Sequence, residues 1–177
     1  DTAVIFGLGP IGLLIVEALR AAGASKIYAV ELSPERQAKA EELGAIVVRP
    51  EEGETVVEAI HRLTGGGADV SYEVTGVPVV LGQALAAVHK AGECMVVSIW
   101  EREASINPNE FAIQEKSLKG IIAYRHIFPK VLELMEQGYF PADKLVTKKI
   151  KLENIVEEGF VELTQDKSQI KILVQPE

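Results

Sequence analysis

The sequence predicts an α/β fold in which a doubly wound, mostly parallel sheet of six strands carries helices on both faces. Apolar runs of strand length alternate with segments of helical periodicity, which is the pattern of such folds. The length of 177 residues fits one domain, which we take as residues 1–177. A glycine-rich turn between the first predicted strand and the first predicted helix also supports this fold, and it indicates a ligand-binding site.

The first unit begins with a predicted strand from Ala3 to Phe6. Pro10 suits the first position of the following helix, and Gly23 suits the residue that ends it. Ile27 to Val30 is the second predicted strand. Helical spacing of apolar residues predicts the buried face of this helix, formed by Ile11, Leu14, Ile15, Ala18, Leu19 and Ala22.

The alternation continues to the middle of the chain. Ser33, Pro34 and Glu35 predict the start of the second helix, and Gly44 predicts its end. The next predicted elements are a strand from Ile46 to Val48, a helix from about Thr55 to Leu63, a strand from Val70 to Val74, a helix from Pro78 to about His89 and a strand from Met95 to Ile99.

The regular pattern breaks after Ile99. The segment from Glu101 to Glu115 is polar and contains Asn107-Pro108-Asn109, which predicts a loop with a short extended piece around Ser105 and Ile106. The last predicted elements are a strand from Lys119 to Ala123, a helix from Phe128 to Gln137 ended by Gly138, an extended stretch from Val146 to Ile150, a helix from Glu153 to Leu163 and a strand from Ile170 to Val174.

Composition argues against several classes of protein. A net charge of −8 opposes binding to nucleic-acid phosphates. The single cysteine, Cys94, begins an apolar strand, and we interpret it as a core residue. His61, His89 and His126 do not have the spacing of metal ligands. The sequence contains neither an apolar run of membrane-spanning length nor a signal peptide, so we expect a cytoplasmic protein.

The residues Gly7-Leu8-Gly9-Pro10-Ile11-Gly12 form a G-x-G-x-x-G motif between a strand and a helix. In this context the motif predicts a Rossmann-type dinucleotide site. Gly7 allows the tight turn, Gly9 allows close approach of a pyrophosphate, and Gly12 allows the helix to pack on the sheet. The helix N-terminus then presents free N–H groups and the positive end of its dipole to the phosphates.

Glu31, at the end of the second strand, predicts which dinucleotide binds. Its carboxylate can accept both hydroxyls of the adenosine ribose, whereas a 2′-phosphate would place like charges about 4 Å apart at a cost of a few kcal/mol. The sequence therefore favours NAD over NADP. Arg36, in the first turns of the second helix, is placed near the adenine side and is not by itself an argument for NADP.

Several stretches of the sequence resemble the coenzyme domain of the zinc-dependent medium-chain alcohol and polyol dehydrogenases. They are Gly7 to Gly12, Glu31, Leu43-Gly44-Ala45, Glu73-Val74-Thr75-Gly76 and Lys119-Gly120-Ile121-Ile122. Within that family, the segments Val97 to Trp100, Tyr124 to Pro129 and Lys144 to Ile150 are most similar to 2,3-butanediol dehydrogenases, with sorbitol and threonine dehydrogenases close behind.

The resemblance implies further coenzyme contacts. Thr75, Gly76 and Val77 would border the riboses, and Lys171 would reach the pyrophosphate. The backbone groups that would bind the nicotinamide carboxamide are those of Ser98, Ile99, Trp100, Ile121, Ile122 and Ala123. Trp100 itself has two interpretations, as a wall of the nicotinamide end or as a packing residue.

The resemblance also implies what this chain lacks. The catalytic zinc of the family is bound by a separate domain, so we interpret the chain as a fragment that binds NAD and does not by itself oxidise a diol. The zinc ligands are expected outside residues 1–177, as are the contacts with a small-molecule alcohol or ketone. The piece from Ala104 to Ile106 corresponds to a strand through which family members pair, which implies a dimer or tetramer.

Three alternatives stay open from the sequence. A sorbitol or xylitol dehydrogenase would share this domain, and a regulatory domain that senses NAD or ATP is similar through its first two strands. A methyltransferase also places an acid after its second strand, although its glycine turn is usually spaced differently. The segment from Tyr124 onward favours the dehydrogenase.

The substitution Glu31→Ser tests the coenzyme assignment. We expect it to weaken NAD binding by about 1.5 to 3 kcal/mol, because that is the usual contribution of hydrogen bonds to a charged group. Calorimetric titration of NAD measures the effect, and an unchanged affinity would contradict the assignment.

Overall fold

The main body of the fold is a six-stranded sheet in which all neighbouring strands are parallel. The computed structural model describes residues 1–166 and 168–176. The strands of this sheet are β1 (Thr2–Phe6), β2 (Lys26–Val30), β3 (Ile46–Val47), β4 (Ala68–Glu73), β5 (Val88–Val96) and β6 (Ser117–Gly120). Their order is β3-β2-β1-β4-β5-β6, so the predicted doubly wound fold is confirmed.

Helices pack on both faces of the sheet and enclose two apolar cores. The helices are α1 (Pro10–Ala21), α2 (Pro34–Glu42), α3 (Val56–Thr64), α4 (Pro78–Ala86), α5 (Pro108–Gln114), α6 (Phe128–Glu136), α7 (Ala142–Leu145) and α8 (Glu162–Gln165). Alternate residues of β1 point to opposite faces, so Val4 joins the cluster of α3 and α4, whereas Ile5 joins that of α1 and α2. Cys94 is completely buried in the first cluster, which confirms its predicted place in the core.

The rotation of α1 differs in part from the prediction, since Ile15 and Leu19 pack against the core as predicted but other residues do not. Ile11 and Leu14, predicted to face the core, are 51% and 40% exposed, and Ala18 and Ala22 are also exposed. The buried residues of α1 are Gly12, Leu13, Val16 and Glu17. A Cβ on Gly12 would lie 2.0 Å from the carbonyl oxygen of Gly7, so only this rotation, with the glycine against the end of β1, allows the contact.

The boundary between α4 and β5 also differs from the prediction. The helix ends at Ala86 instead of about His89, and the strand spans Val88–Val96 instead of Met95 to Ile99. Its start is irregular, because Ala68 pairs with Val88 but Val70 pairs with Glu93. The extra residues form a bulge held by Asp69, whose Oδ1 lies 3.0 Å from Nε2 of His89; this contact raises the pKa of His89.

The segment predicted as a loop contains a helix. Asn107 and Pro108, which we interpreted as loop residues, are the N-cap and first residue of α5, and the Asn107 side chain accepts a hydrogen bond from the backbone N–H of Asn109 (3.1 Å). Ser105 and Ile106 are not paired in either sheet of the described residues. A cap followed by proline is a helix start as well as a turn signal, and the interpretation as a turn was wrong.

The C-terminal region forms a second, two-stranded parallel sheet, which was not predicted. It consists of β7 (Val146–Lys151) and β8 (Lys171–Gln175), at the positions of the predicted extended segments. The predicted helix from Glu153 to Leu163 is a 3-10 turn (Leu152–Asn154), a π-helix (Ile155–Val161) and part of α8. Gly159 of the π-helix packs against Ile150, where a Cβ would approach Cδ1 to 3.3 Å.

Of the helices formed by residues 1–166 and 168–176, none has the length and apolar character needed to cross a bilayer.

Candidate functional site

A crevice lies at the carboxyl ends of β1, β2 and β4, where the order of the strands reverses. It has a volume of about 620 Å³. Open α/β sheets bind ligands at this position, because the loops on either side of the reversal run in opposite directions. The predicted site residues that line the crevice are Gly7, Gly9, Glu31, Arg36, Thr75 and Val77.

The glycine turn forms one wall of the crevice. Gly7 has a φ of +96°, and a Cβ there would lie 2.7 Å from Cγ2 of Thr75, so a side chain at this position would collide with the turn after β4. A Cβ on Gly9, in contrast, would have no atom within 4 Å. Gly9 is the N-cap of α1 and has no side chain that could accept hydrogen bonds from the first N–H groups of the helix. These N–H groups can therefore bind an anionic ligand in the space beside Gly9.

Glu31 connects the glycine turn to the end of β2. One carboxylate oxygen, Oε2, accepts a hydrogen bond from the N–H of Leu8 (2.8 Å). The other, Oε1, accepts from the N–H groups of Leu32 (2.8 Å) and Ser33 (3.1 Å). Backbone donors therefore fix the carboxylate at the mouth of the crevice. Two N–H groups occupy Oε1, whereas Oε2 keeps a lone pair for a hydroxyl donor.

Arg36 lies in the same crevice, on the first turn of α2. Its Nη1 atom is 3.8 Å from Oε2 of Glu31, with both side chains largely buried. The guanidinium therefore partly balances the charge of Glu31 within the crevice.

A second, adjoining cavity of about 410 Å³ continues the crevice. Its walls are the start of α4 and the segment after β5, and its lining residues are Thr75, Gly76, Val77, Pro78, Ile99, Glu101 and Arg102. The two walls are in close contact, since a Cβ on Gly76 would lie 3.0 Å from the carbonyl oxygen of Ile99. Thr75 and Val77 line both spaces, so the crevice and the cavity form one elongated site.

Glu73, the last residue of β4, is a site residue for which we predicted no role. Its carboxylate is fully buried and accepts hydrogen bonds from Thr75, Gly76 and Ser98. Its place within the predicted strand from Val70 to Val74 is the sequence signal that identifies it, because a charged side chain is rarely buried without a partner.

Other predicted coenzyme contacts are exposed residues that do not line these cavities. Ile121 and Ile122 are 52% and 80% exposed, Ala123 and Pro10 are also exposed, and Lys171 is an exposed residue of β8. These residues do not line either cavity, and their assignments as coenzyme contacts remain predictions.

Trp100 packs against the first core cluster, together with Phe111 and Leu118. It lines neither cavity, and its indole N–H is buried without a hydrogen-bond partner among the described residues. Trp100 therefore packs against the core, and its assignment as a coenzyme contact remains a prediction.

The described residues do not fit a bound zinc ion. Residues 1–166 and 168–176 contain no group of three or more His, Cys, Asp or Glu side chains placed to hold a metal. The only cysteine, Cys94, is buried in the core, and burial raises the pKa of its thiol, so the thiolate that zinc requires is disfavoured.

Comparison with known proteins identifies relatives of this chain. The sequence profile of the family described as "Zinc-binding dehydrogenase" matches residues 10–137. The (R,R)-butanediol dehydrogenase of Bacillus subtilis (strain 168) is 63% identical over 176 residues, which is 99% of this chain and 51% of that protein. Sorbitol dehydrogenase of the same organism is 32% identical, over 99% of this chain and 50% of that protein.

Solved structures agree with these matches. The crystal structure of 2R,3R-butanediol dehydrogenase from Bacillus subtilis superimposes with a TM-score of 0.96, covering 100% of this chain and 51% of that one. The alcohol dehydrogenase TADH from Thermus sp. ATN1 has a TM-score of 0.91 at 27% identity, with 100% of this chain and 51% of that one covered. The chain spans about half the length of the relatives it matches.

Alanine substitutions of Gly12 and Gly9 form a matched pair that separates packing from ligand binding. Gly12→Ala is expected to destabilise the fold by about 3 kcal/mol, because the added methyl overlaps the Gly7 carbonyl. Gly9→Ala is expected to cost less than about 1 kcal/mol and to weaken dinucleotide binding, because its methyl enters free space beside the helix N-terminus. Urea unfolding and calorimetric titration with NADH measure the two effects. Undiminished NADH affinity in Gly9→Ala would show that the ligand does not approach this turn.

Proposed function

Since the chain belongs to the zinc-binding dehydrogenase family, we propose that it is the NAD-binding part of an alcohol dehydrogenase for 2,3-butanediol. The complete enzyme transfers a hydride between NAD and a vicinal diol, with acetoin as the ketone. The relative with 63% identity is named for this substrate, and it supports the choice of a diol over a polyol such as sorbitol.

The position of Glu31 carries the coenzyme part of this proposal. Its carboxylate stands at the mouth of the crevice with both oxygens oriented by backbone N–H groups. This arrangement lets Oε2 accept a hydrogen bond from a hydroxyl of an unmodified ribose, and the carboxylate repels a 2′-phosphate. Arg36 does not reverse the preference, because its charge is already paired with Glu31.

The residues of this chain bind and orient the coenzyme. The N-terminus of α1, next to Gly9, accepts the pyrophosphate, and Thr75 and Val77 border the path from the crevice to the second cavity. When bound, NAD supplies the hydride-accepting nicotinamide ring. Because the described residues offer no metal site, the zinc ligands and the substrate contacts belong to the part of the relatives that this chain does not cover.

Activity of the full-length protein tests the proposal. We expect NAD reduction with 2,3-butanediol at a kcat/KM at least about tenfold higher than with sorbitol, and NAD preferred over NADP. This chain alone is expected to bind NADH without oxidising either alcohol. A preference for sorbitol would favour a polyol dehydrogenase, and NADH binding without turnover by the full-length protein would favour a regulatory domain.

The protein is further proposed to be a cytoplasmic dimer or tetramer that pairs through Ala104 to Ile106. Ala104 packs against the core cluster beside Trp100, whereas Ser105 and Ile106 are exposed. Their backbone groups belong to no strand within the described residues, so they are available to a second copy. Sedimentation at tens of micromolar is expected to give at least a dimeric mass. A strictly monomeric mass would contradict the pairing.

A further inference from the structure

Glu73 has an unusual environment for a carboxylate. Its side chain is fully buried, and none of the ion pairs formed by residues 1–166 and 168–176 includes it. A buried carboxylate without a cation is costly unless hydrogen-bond donors replace its lost water. The hydrogen-bond donors around Glu73 therefore indicate which parts of the structure it holds in place.

The donors come from both walls of the second cavity. On the wall formed by the turn after β4, Oε1 accepts from the N–H of Thr75 (2.7 Å), the hydroxyl of Thr75 (2.5 Å) and the N–H of Gly76 (3.0 Å). On the wall formed by the segment after β5, the hydroxyl of Ser98 donates to Oε2. The buried carboxylate of Glu73 thus connects the two walls by hydrogen bonds without lining the cavity itself.

The hydrogen bonds continue to residues that line the cavity. The hydroxyl of Thr75 accepts from the N–H of Val77 (3.2 Å), and the carbonyl oxygen of Glu73 accepts from the N–H of Val97 (2.9 Å). Thr75, Val77 and Ile99 all line the cavity, whereas the Glu73 side chain does not reach it. Glu31 and Arg36 are in the crevice instead, so Glu73 and Glu31 organise different parts of the elongated site.

We propose that Glu73 is a positioning residue that sets the separation of the two cavity walls and thereby the affinity for the nicotinamide half of the dinucleotide. The inference rests on the proposed function, because it assigns that half to the second cavity. Glu73 makes no contact with the coenzyme itself. Its negative charge strengthens four hydrogen bonds at once, which an uncharged group of the same shape cannot do equally well.

The substitution Glu73→Gln tests the proposal with NADH and ADP as probes in the full-length protein. It retains one acceptor oxygen for the Thr75 and Gly76 amides but turns the group facing Ser98 into a donor. We expect NADH binding to weaken about tenfold, while ADP, which occupies only the Glu31 end, binds with unchanged affinity. Calorimetric titration measures both. An equal loss for the two ligands, or no loss for either, would overturn the inference.

Ser71→Ala is the matched control on the same strand. The Ser71 hydroxyl donates to the carbonyl oxygen of Ala84 (2.7 Å) and is equally buried, but it is not connected to the cavity. This variant is expected to be less stable with both affinities unchanged. A selective loss of NADH affinity in Ser71→Ala would indicate a general effect of disturbing β4 and would also overturn the inference.

Ser98→Ala provides a second, milder variant for the case that Glu73→Gln does not fold. It removes only the donor from one wall, and we expect about a threefold loss of NADH affinity with ADP unaffected. The single tryptophan, Trp100, lies two residues away, so its emission maximum should shift in this variant and not in Ser71→Ala. Equal NADH affinity and an unshifted emission would overturn the inference. Wild-type protein that binds neither NADH nor ADP would instead refute the proposed function.

Discussion

The close packing of Gly12 against the carbonyl of Gly7 is the constraint on which the site depends. With no side chain between them, the first turn of α1 rests directly on the end of β1. This contact brings the N-terminus of the helix to the crevice, and it places the N–H of Leu8 within reach of the Glu31 carboxylate. The position of the α1 N-terminus and its contact with Glu31 therefore both depend on the absence of a side chain at Gly12.

Two carboxylates organise the site in similar ways. Glu31 directly follows β2 and Glu73 is the last residue of β4, and each is held mainly by donors of the adjacent turns. Glu31 is at the surface of the crevice and keeps acceptor capacity for a ligand. Glu73 is buried, and its oxygens accept from N–H and O–H groups of the protein. An acidic protein thus uses its negative charge to shape turns while backbone N–H groups supply the positive potential for phosphates.

Sequence reasoning succeeded where local chemistry and periodicity agree. The strand-turn-helix order, the N-cap of α2 and the acid after β2 were all predicted, because each depends on residues close in sequence. It failed where distant contacts prevail. The rotation of α1 is set by a glycine contact and not by its apolar periodicity, and the bulge of β5 depends on the pairing of His89 with Asp69. The contacts of Glu73 could not be predicted either, because its partner Ser98 is 25 residues away in sequence and meets it only where β4 and β5 pair.

The strand order has a consequence for how the nascent chain folds. β1 lies between β2 and β4, and its Ala3 pairs with Val70. The first β-α-β unit can assemble as soon as β2 leaves the ribosome, but the other edge of β1 stays open until β4 has been synthesised. During that interval the unpaired edge is a template for wrong strand partners. Docking of β4 closes this edge, and it thereby protects the nascent chain from wrong pairing before the core is complete.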